Sequence, residues 1–343
     1  MEKLSNRNNN CFNFIRLVAA VQVFLGHALR HLQVDVPVSI RPLVFLIRGV
    51  PVFFILSGFL IWNSLNRSDD FKQFVQKRAL RLYPELWAGV LLNAVIMLLL
   101  YGSEVQWLPF LAFQFTQATF LQFWTPDSLQ GYGYGAPNGA LWTIGVMLQC
   151  YLVLWAIHFV IKKWGKQEAG SKKRCVLLMV LLLAAIVDSL LSIYVKGILP
   201  EVLGKLFAQT FVPYIWLFLI GAVLAESFDR IIAVAKRLWF VFLGLVLVIG
   251  WTGIDIGYSY GIVSSLFLGL AMIGFAYRFP KLTIRHDISY GLYIYHMVVV
   301  NAMIELGFTG KLIYVAIALA VSVLIAILSY VTIGRLSKFK TKR

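Results

Sequence analysis

The sequence predicts an all-α protein: a polytopic membrane bundle of about ten transmembrane helices with both termini in the cytoplasm. Three observations carry this. The chain is 60% hydrophobic and only 13% charged over 343 residues, with a mean hydropathy of +0.80, whereas a soluble domain lies nearer half apolar and a quarter charged. Apolar runs recur along its whole length, each long enough to cross a ~30 Å hydrocarbon core at ~1.5 Å per helical residue. Lys and Arg also gather on alternate loops, as orientation in a bilayer requires. A β-barrel is excluded, because its strands would read as weak alternation. With so many spans only short loops remain, so residues 1–343 are expected to form one membrane domain with no appended soluble domain.

In chain order, spans are expected at Phe12–Leu32, Val44–Asn63, Tyr83–Tyr101, Ala140–Ile161 and Cys175–Tyr194. The second half supplies Phe211–Ala225, Leu238–Trp251, Gly261–Tyr277, Ile288–Leu306 and Leu312–Ile333. Met1 to Asn10 form a polar segment that lacks a small-residue cleavage site, so the first span is expected to be retained, unlike a signal peptide. Cys11, Cys150 and Cys175 are odd in number and far apart, which suggests neither a disulfide framework nor a metal pair.

Charge then sets orientation. With the N-terminus inside, 25 of the 31 Lys and Arg residues fall on inner segments. The formal charge of +16 is thereby an orientation signal, and no nucleic-acid partner is expected. Trp107–Phe123 is apolar enough to be an eleventh span, but crossing would turn the cations between Lys162 and Arg174 outward. Gly102–Gly139 is therefore read as a long outer loop dipping into the interface. Its aromatics (Trp107, Phe110, Phe113, Phe115, Phe120, Phe123, Trp124) and the Gly131-Tyr-Gly-Tyr-Gly135 run fit either a sugar-stacking lip or the simpler aromatic belt.

Ionisable groups inside a span cost roughly 2.5–3.5 kcal/mol on insertion scales and are functional candidates by default. Arg16 and His27 are eleven residues apart, about three turns plus roughly 20°, so they share a helix face about 16 Å apart along the axis. A cation near the cytoplasmic mouth thus lies beneath an imidazole within the membrane. Taken singly, Arg16 reads equally as a snorkelling side chain and His27 as a hydrogen-bonded bundle histidine. His31 follows one turn later, but no carboxylate accompanies the pair, and no metal is expected. Arg78 and Arg81, at the end of the loop after the second span, are neighbours on one helical face. They suit bidentate phosphate binding, or serve only as inside-positive charge. The ninth span adds His296 beside Tyr290 and Tyr293, residues that could line a cavity. Asp188 is expected to snorkel toward the outer surface.

Together these residues resemble acyltransferase family 3, polytopic bacterial enzymes that O-acylate sugars and surface polysaccharides. The resemblance covers most of the chain. It rests on Arg16-x10-His27; Arg48-Gly-Val-Pro-Val-Phe-Phe-Ile-Leu-Ser57-Gly-Phe-Leu-Ile61; Arg78-x-x-Arg81 followed by Leu82-Tyr-Pro84; Leu141-Trp142-Thr143 leading to Gln149-Cys-Tyr151; and Ile288-Ser-Tyr-Gly-Leu-Tyr-Ile-Tyr-His296. Each motif is weak alone, but five in the family's order are specific. Two positions depart from the pattern. Many relatives carry Asp where Asn13 stands, so a charged partner for Arg16 is lost, and many carry Glu at about Met147.

The resemblance implies an acyl-CoA donor, most often acetyl-CoA, and a glycan or lipid-linked glycan acceptor in the cell envelope. The catalytic candidates are His27 and Arg16. Arg78, Arg81 and Arg16 are expected to hold the donor's phosphates, while Ser57, Trp142, Tyr290, Tyr293 and His296 are expected substrate-lining residues. Burial disfavours the imidazolium, so a neutral His27 would act as general base or carry the acyl group itself. The competing class is a transporter or flippase of a sugar-linked lipid, because intramembrane Arg and His also mark transport pathways.

Overall fold

The computed structural model describes residues 9–37, 47–67, 70–122, 124–164 and 170–334, and among them there are helices, turns and no strand. The helices are α1 (Phe12–His31), α2 (Gly49–Leu65), α3 (Phe71–Tyr101), α4 (Trp107–Ala118), α5 (Trp142–Trp164) and α6 (Gly170–Tyr194). They continue as α7 (Glu201–Phe207), α8 (Ile215–Glu226), α9 (Phe228–Thr252), α10 (Ile262–Arg278), α11 (Ser289–Glu305) and α12 (Leu312–Ser329). Among the described residues every expected span coincides with a helix, and α4 and α7 are additional; Val44–Leu46, where the second span was expected to begin, lie outside the described residues. Six helices (α1, α3, α5, α6, α9 and α12) are long and apolar enough to cross a bilayer by themselves. The protein is a multi-pass membrane protein.

Local sequence explains where the helices depart from the expected spans. α3 begins at Phe71, capped by Asp70, whose carboxylate accepts from the Gln73 amide at 3.2 Å. Arg78 and Arg81 are therefore helical, whereas the sequence reading left them in a loop. α8 begins only at Ile215, because Pro213 lacks an amide proton and disfavours helix in the residue before it. α9 starts ten residues earlier than the span read from the sequence, and its backbone leaves helical geometry at Leu238 (φ −109°, ψ 15°), where that span was expected to begin. The segment Trp107–Phe123 contains the 12-residue α4, about 18 Å long; Phe123 and the cations at 335–343 lie outside the described residues.

Contacts divide the chain into two compact units, the first drawn from Met1–Arg16, Leu46–Asp69 and Val146–Ile284, the second from Leu17–Phe45, Asp70–Gly145 and Arg285–Arg343. In a bilayer, helices gain little by hiding apolar surface from lipid tails, so close packing and buried polar contacts hold them together. The first unit illustrates both. A Cβ at Gly58 would overlap the Phe218 carbonyl, and one at Gly221 would overlap the Ile55 carbonyl, so α2 and α8 meet backbone to backbone. Glu226 accepts from Trp62 Nε1 at 2.8 Å and Asn66 Nδ2 at 3.2 Å and pairs with Lys173 at 3.5 Å. Asp188 is fully buried and accepts from the Tyr258 amide at 3.0 Å. It ties α6 to the loop before α10 and does not snorkel.

In the second unit, the outer half of α1 packs Phe24, Ala28 and Leu32 against Val300 and Met303 of α11 and Ala318 of α12. A second cluster joins Met97 of α3 and Phe110 and Phe113 of α4 to Leu129 and Tyr132. Those three aromatics are core residues and cannot belong to a stacking lip, while Trp107, Phe115 and Phe120 remain exposed.

Candidate active site

α1 carries both residues singled out at its two ends. In the first unit, Arg16 donates from Nη1 to Asn13 Oδ1 at 3.3 Å, and Asn13 Nδ2 donates to the Ile284 carbonyl at 3.0 Å. The arginine thus keeps a hydrogen-bond partner one turn away. Asn13 supplies that acceptor as a neutral amide oxygen. Ser57, half-buried on α2, donates to Met147 Sδ at 3.8 Å, and Tyr151 donates to the same sulfur at 3.9 Å. Thioether sulfur is a weak acceptor, so Met147 offers these two hydroxyls only a soft polar contact.

The second unit gathers more of the candidates. The apolar stripe that seats α1 on α11 brings the half-buried His27 against the fully buried His296. His27 Nδ1 lies 2.8 Å from His296 Nε2, with the rings 5.1 Å apart and inclined by 13°. His296 Nδ1 lies 2.8 Å from the Tyr293 carbonyl and 3.2 Å from that of Leu292. Phe24 packs edge-to-face with the same ring, their centroids 6.3 Å apart. One turn beyond His27, His31 stacks on Tyr134 with ring centroids 3.6 Å apart. Among the described residues, no three His, Cys, Asp or Glu side chains converge as a metal group would need.

Tyr293 uses its hydroxyl inside the unit, 2.6 Å from Thr143 Oγ1 and donating to the Ala140 carbonyl at 3.0 Å. That contact fixes the start of α5, where Trp142 is half-buried. Tyr290 donates to the Leu82 carbonyl at 3.0 Å, tying α11 to the turn of α3 that carries Arg81. Arg81 is exposed and Arg78 half-buried, and their spacing of three places them on neighbouring positions of one face.

Three polar residues escaped the sequence reading. Fully buried Asn301 accepts from the Tyr134 amide at 3.2 Å and donates to the carbonyls of Ala136 at 3.0 Å and Pro137 at 2.8 Å. Glu305, one turn later, accepts from the Gly133 amide at 2.6 Å. Gly133 takes φ +60°, a left-handed conformation that costs glycine little. These contacts pin the Gly131–Gly135 loop over the end of α11. Burial raises the Tyr134 phenol above its ordinary value, so it stays protonated against His31. Glu85, one turn after Arg81, accepts from Ser329 Oγ at 3.1 Å, and that hydroxyl accepts from Tyr295 at 2.8 Å. The available signal was polar residues at i, i+4 spacing inside apolar helices.

The family described as "Acyltransferase domain" (acyltransferase family 3) matches residues 9–332. The chain is 28% identical over 329 residues to Nodulation protein 10 of Rhizobium leguminosarum bv. viciae, covering 89% of this chain and 87% of that one. It is 24% identical over 331 residues to the O-acetyl transferase of Shigella phage Sf6, covering 90% and 91% respectively. Against the peptidoglycan O-acetyltransferase OatA of Listeria monocytogenes it is 28% identical over 127 residues, covering 34% of this chain and 20% of that protein. No solved structure matches. A helical membrane bundle matched by the family's model over nearly its whole length belongs to that family: the chain is a member of acyltransferase family 3, a membrane O-acyltransferase.

Proposed function

We propose that this protein is an O-acetyltransferase of the bacterial cytoplasmic (inner) membrane, with both termini in the cytosol, that moves an acetyl group from cytosolic acetyl-CoA to a hydroxyl of a cell-envelope glycan or lipid-linked glycan precursor. The observation that carries the reading is a half-buried His27 whose ring is held by His296, in a chain whose family transfers acyl groups. The acetyl group and the glycan class are supported by the names of the relatives from the Shigella phage and Listeria. The cytoplasmic side of the termini is supported by the alternation of Lys and Arg.

In this reaction the acceptor hydroxyl loses its proton to the imidazole as its oxygen attacks the thioester carbon. The C–O bond forms, the C–S bond breaks, and the proton passes from the imidazole to the departing CoA sulfur. A positioned base of this kind contributes about 10²–10⁴-fold. In the variant route, His27 attacks first and hands the acetyl group onward as an acyl-imidazole; both routes require an unprotonated ring nitrogen facing the donor. Arg78 and Arg81 hold the CoA phosphates, since paired guanidiniums match phosphate oxygens bidentately. Arg16, taken by itself, is a further phosphate-binding candidate. Trp142 and Tyr290 line the substrate path.

The test is incubation of purified protein with radiolabelled acetyl-CoA and envelope glycan. Stable label on the glycan, lost in His27→Ala, is the expected result. Full labelling by a correctly inserted His27→Ala variant would remove His27 from the chemistry, and movement of unlabelled glycan without acetylation would restore the transporter reading.

A further inference from the structure

His296 has both ring nitrogens committed within the protein, and the identities of its partners decide where every proton of the pair sits. Its Nδ1 faces two backbone carbonyls, Tyr293 at 2.8 Å and Leu292 at 3.2 Å. Carbonyls only accept, so Nδ1 carries a proton. The ring is fully buried, and among the described residues no carboxylate pairs with it; an isolated charge there would be costly, so the imidazole is neutral. A neutral imidazole with a proton on Nδ1 offers Nε2 as a pure acceptor. The atom 2.8 Å from that acceptor is His27 Nδ1, which must therefore be the donor. His27 then holds its single proton on Nδ1, and its Nε2 is the nitrogen with a free lone pair.

We infer that His296 is a positioning residue for acyl transfer: its backbone-locked ring fixes His27 in the Nδ1–H tautomer and presents His27 Nε2 as the reactive nitrogen. Geometry supports the assignment beyond the tautomer. The near-parallel rings at 13° and the Phe24 edge against His296 restrict rotation of the acceptor. The α1–α11 packing sets the distance. This role differs from lining the substrate path, because no nitrogen of His296 is left to contact substrate.

The inference rests on the proposed use of His27 in acyl transfer, and its test has one arm independent of activity. In protein labelled with ¹⁵N-histidine in lipid nanodiscs, the ring nitrogens of His27, assigned by its absence in His27→Ala, are expected to show a protonated Nδ1 and an unprotonated Nε2. A proton on Nε2 overturns the inference whatever the enzyme does, and this arm needs no variant of His296. In the kinetic arm, His296→Phe is expected to lower kcat about 10–100-fold, as loss of an outer orienting partner does, with KM for acetyl-CoA unchanged. His296→Gln, whose amide oxygen accepts near the former Nε2, is expected to recover most of kcat. A rise in KM at constant kcat would make His296 a binding residue and overturn the assignment. Activity that survives His27→Ala while the tautomer is as stated would instead defeat the functional reading alone.

Discussion

His27 and His296 stand 269 positions apart in the chain, yet their Nδ1 and Nε2 atoms are 2.8 Å apart in the fold. That contact joins the first membrane helix to α11 through a polar bridge set in an apolar seam. It couples His27, the proposed base, to a ring with both nitrogens engaged within the protein. Buried polar groups need partners, and both nitrogens of His296 have them: the carbonyls of Tyr293 and Leu292 at Nδ1 and His27 at Nε2.

Removing the imidazole of His27 is expected to abolish glycan acetylation, a fall of at least about 10²-fold, while expression and detergent-solubilised melting temperature change little. Initial rates from radiolabelled acetyl-CoA, measured beside a thermal melt, check both halves.

Arg78→Ala is expected to raise the KM for acetyl-CoA about 10–100-fold, the value of one charge-assisted hydrogen bond of about 1.5–3 kcal/mol. Arg81→Ala should have a smaller effect, because its guanidinium is exposed and screened by salt. Lysine at either position should recover little, lacking the planar fork. Michaelis curves at two ionic strengths test the assignment; an unchanged KM in both alanine variants would overturn it.

Arg16→Ala is expected to weaken donor use in the same assay, while Asn13→Ala, which removes the acceptor at 3.3 Å from Nη1, should show a milder loss. If Asn13→Ala proved more damaging than Arg16→Ala, the asparagine would matter mainly through its bond to the Ile284 carbonyl and not through the arginine.

Asn301→Leu keeps similar bulk but strands the Tyr134 amide and the carbonyls of Ala136 and Pro137. Each buried group left unpaired costs about 1–3 kcal/mol. Hydrogen exchange across residues 132–137 is expected to accelerate in this variant, with the exchange of α12 unchanged. Equal protection of the loop in variant and parent would show that Glu305 and the glycines suffice to hold it.

Gly58→Val or Gly221→Val forces a side chain into the facing backbone of α8 or α2. Neither helix can retreat without opening the seam, so a destabilisation at or above the ~1–3 kcal/mol typical of overpacking is expected. Size-exclusion profiles and melting temperature in detergent are the readout. Gly244→Val, where nothing lies within 4 Å of the added carbon, is the control expected to behave like the parent.

Several features were legible before any fold was known, because they are local. Hydropathy marked ten apolar segments that fold as helices, six of them long enough to cross a bilayer, since a crossing demands about twenty apolar residues. The eleven-residue interval from Arg16 to His27 declared a shared face of one helix, since helical geometry is set by spacing alone. Other features were not legible. Helix starts at Phe71 and Ile215 turned on a capping aspartate and a proline, local details that hydropathy averages away. Asp188 looked like a snorkelling acid because its partner, the Tyr258 amide, lies 70 residues downstream.

By itself, the sequence determined that this chain is a helical membrane protein, how its loops are charged, and which family its motifs match; all of these follow from composition and short-range periodicity. Only the tertiary structure decided that His296 faces His27, that Asn301 and Glu305 hold the aromatic loop, and that Phe110, Phe113 and Tyr132 are core and not lip. The physical reason is that an apolar helix presents several faces of nearly equal hydropathy, so which one meets a given neighbour is set by packing and by the pairing of buried polar atoms across hundreds of residues.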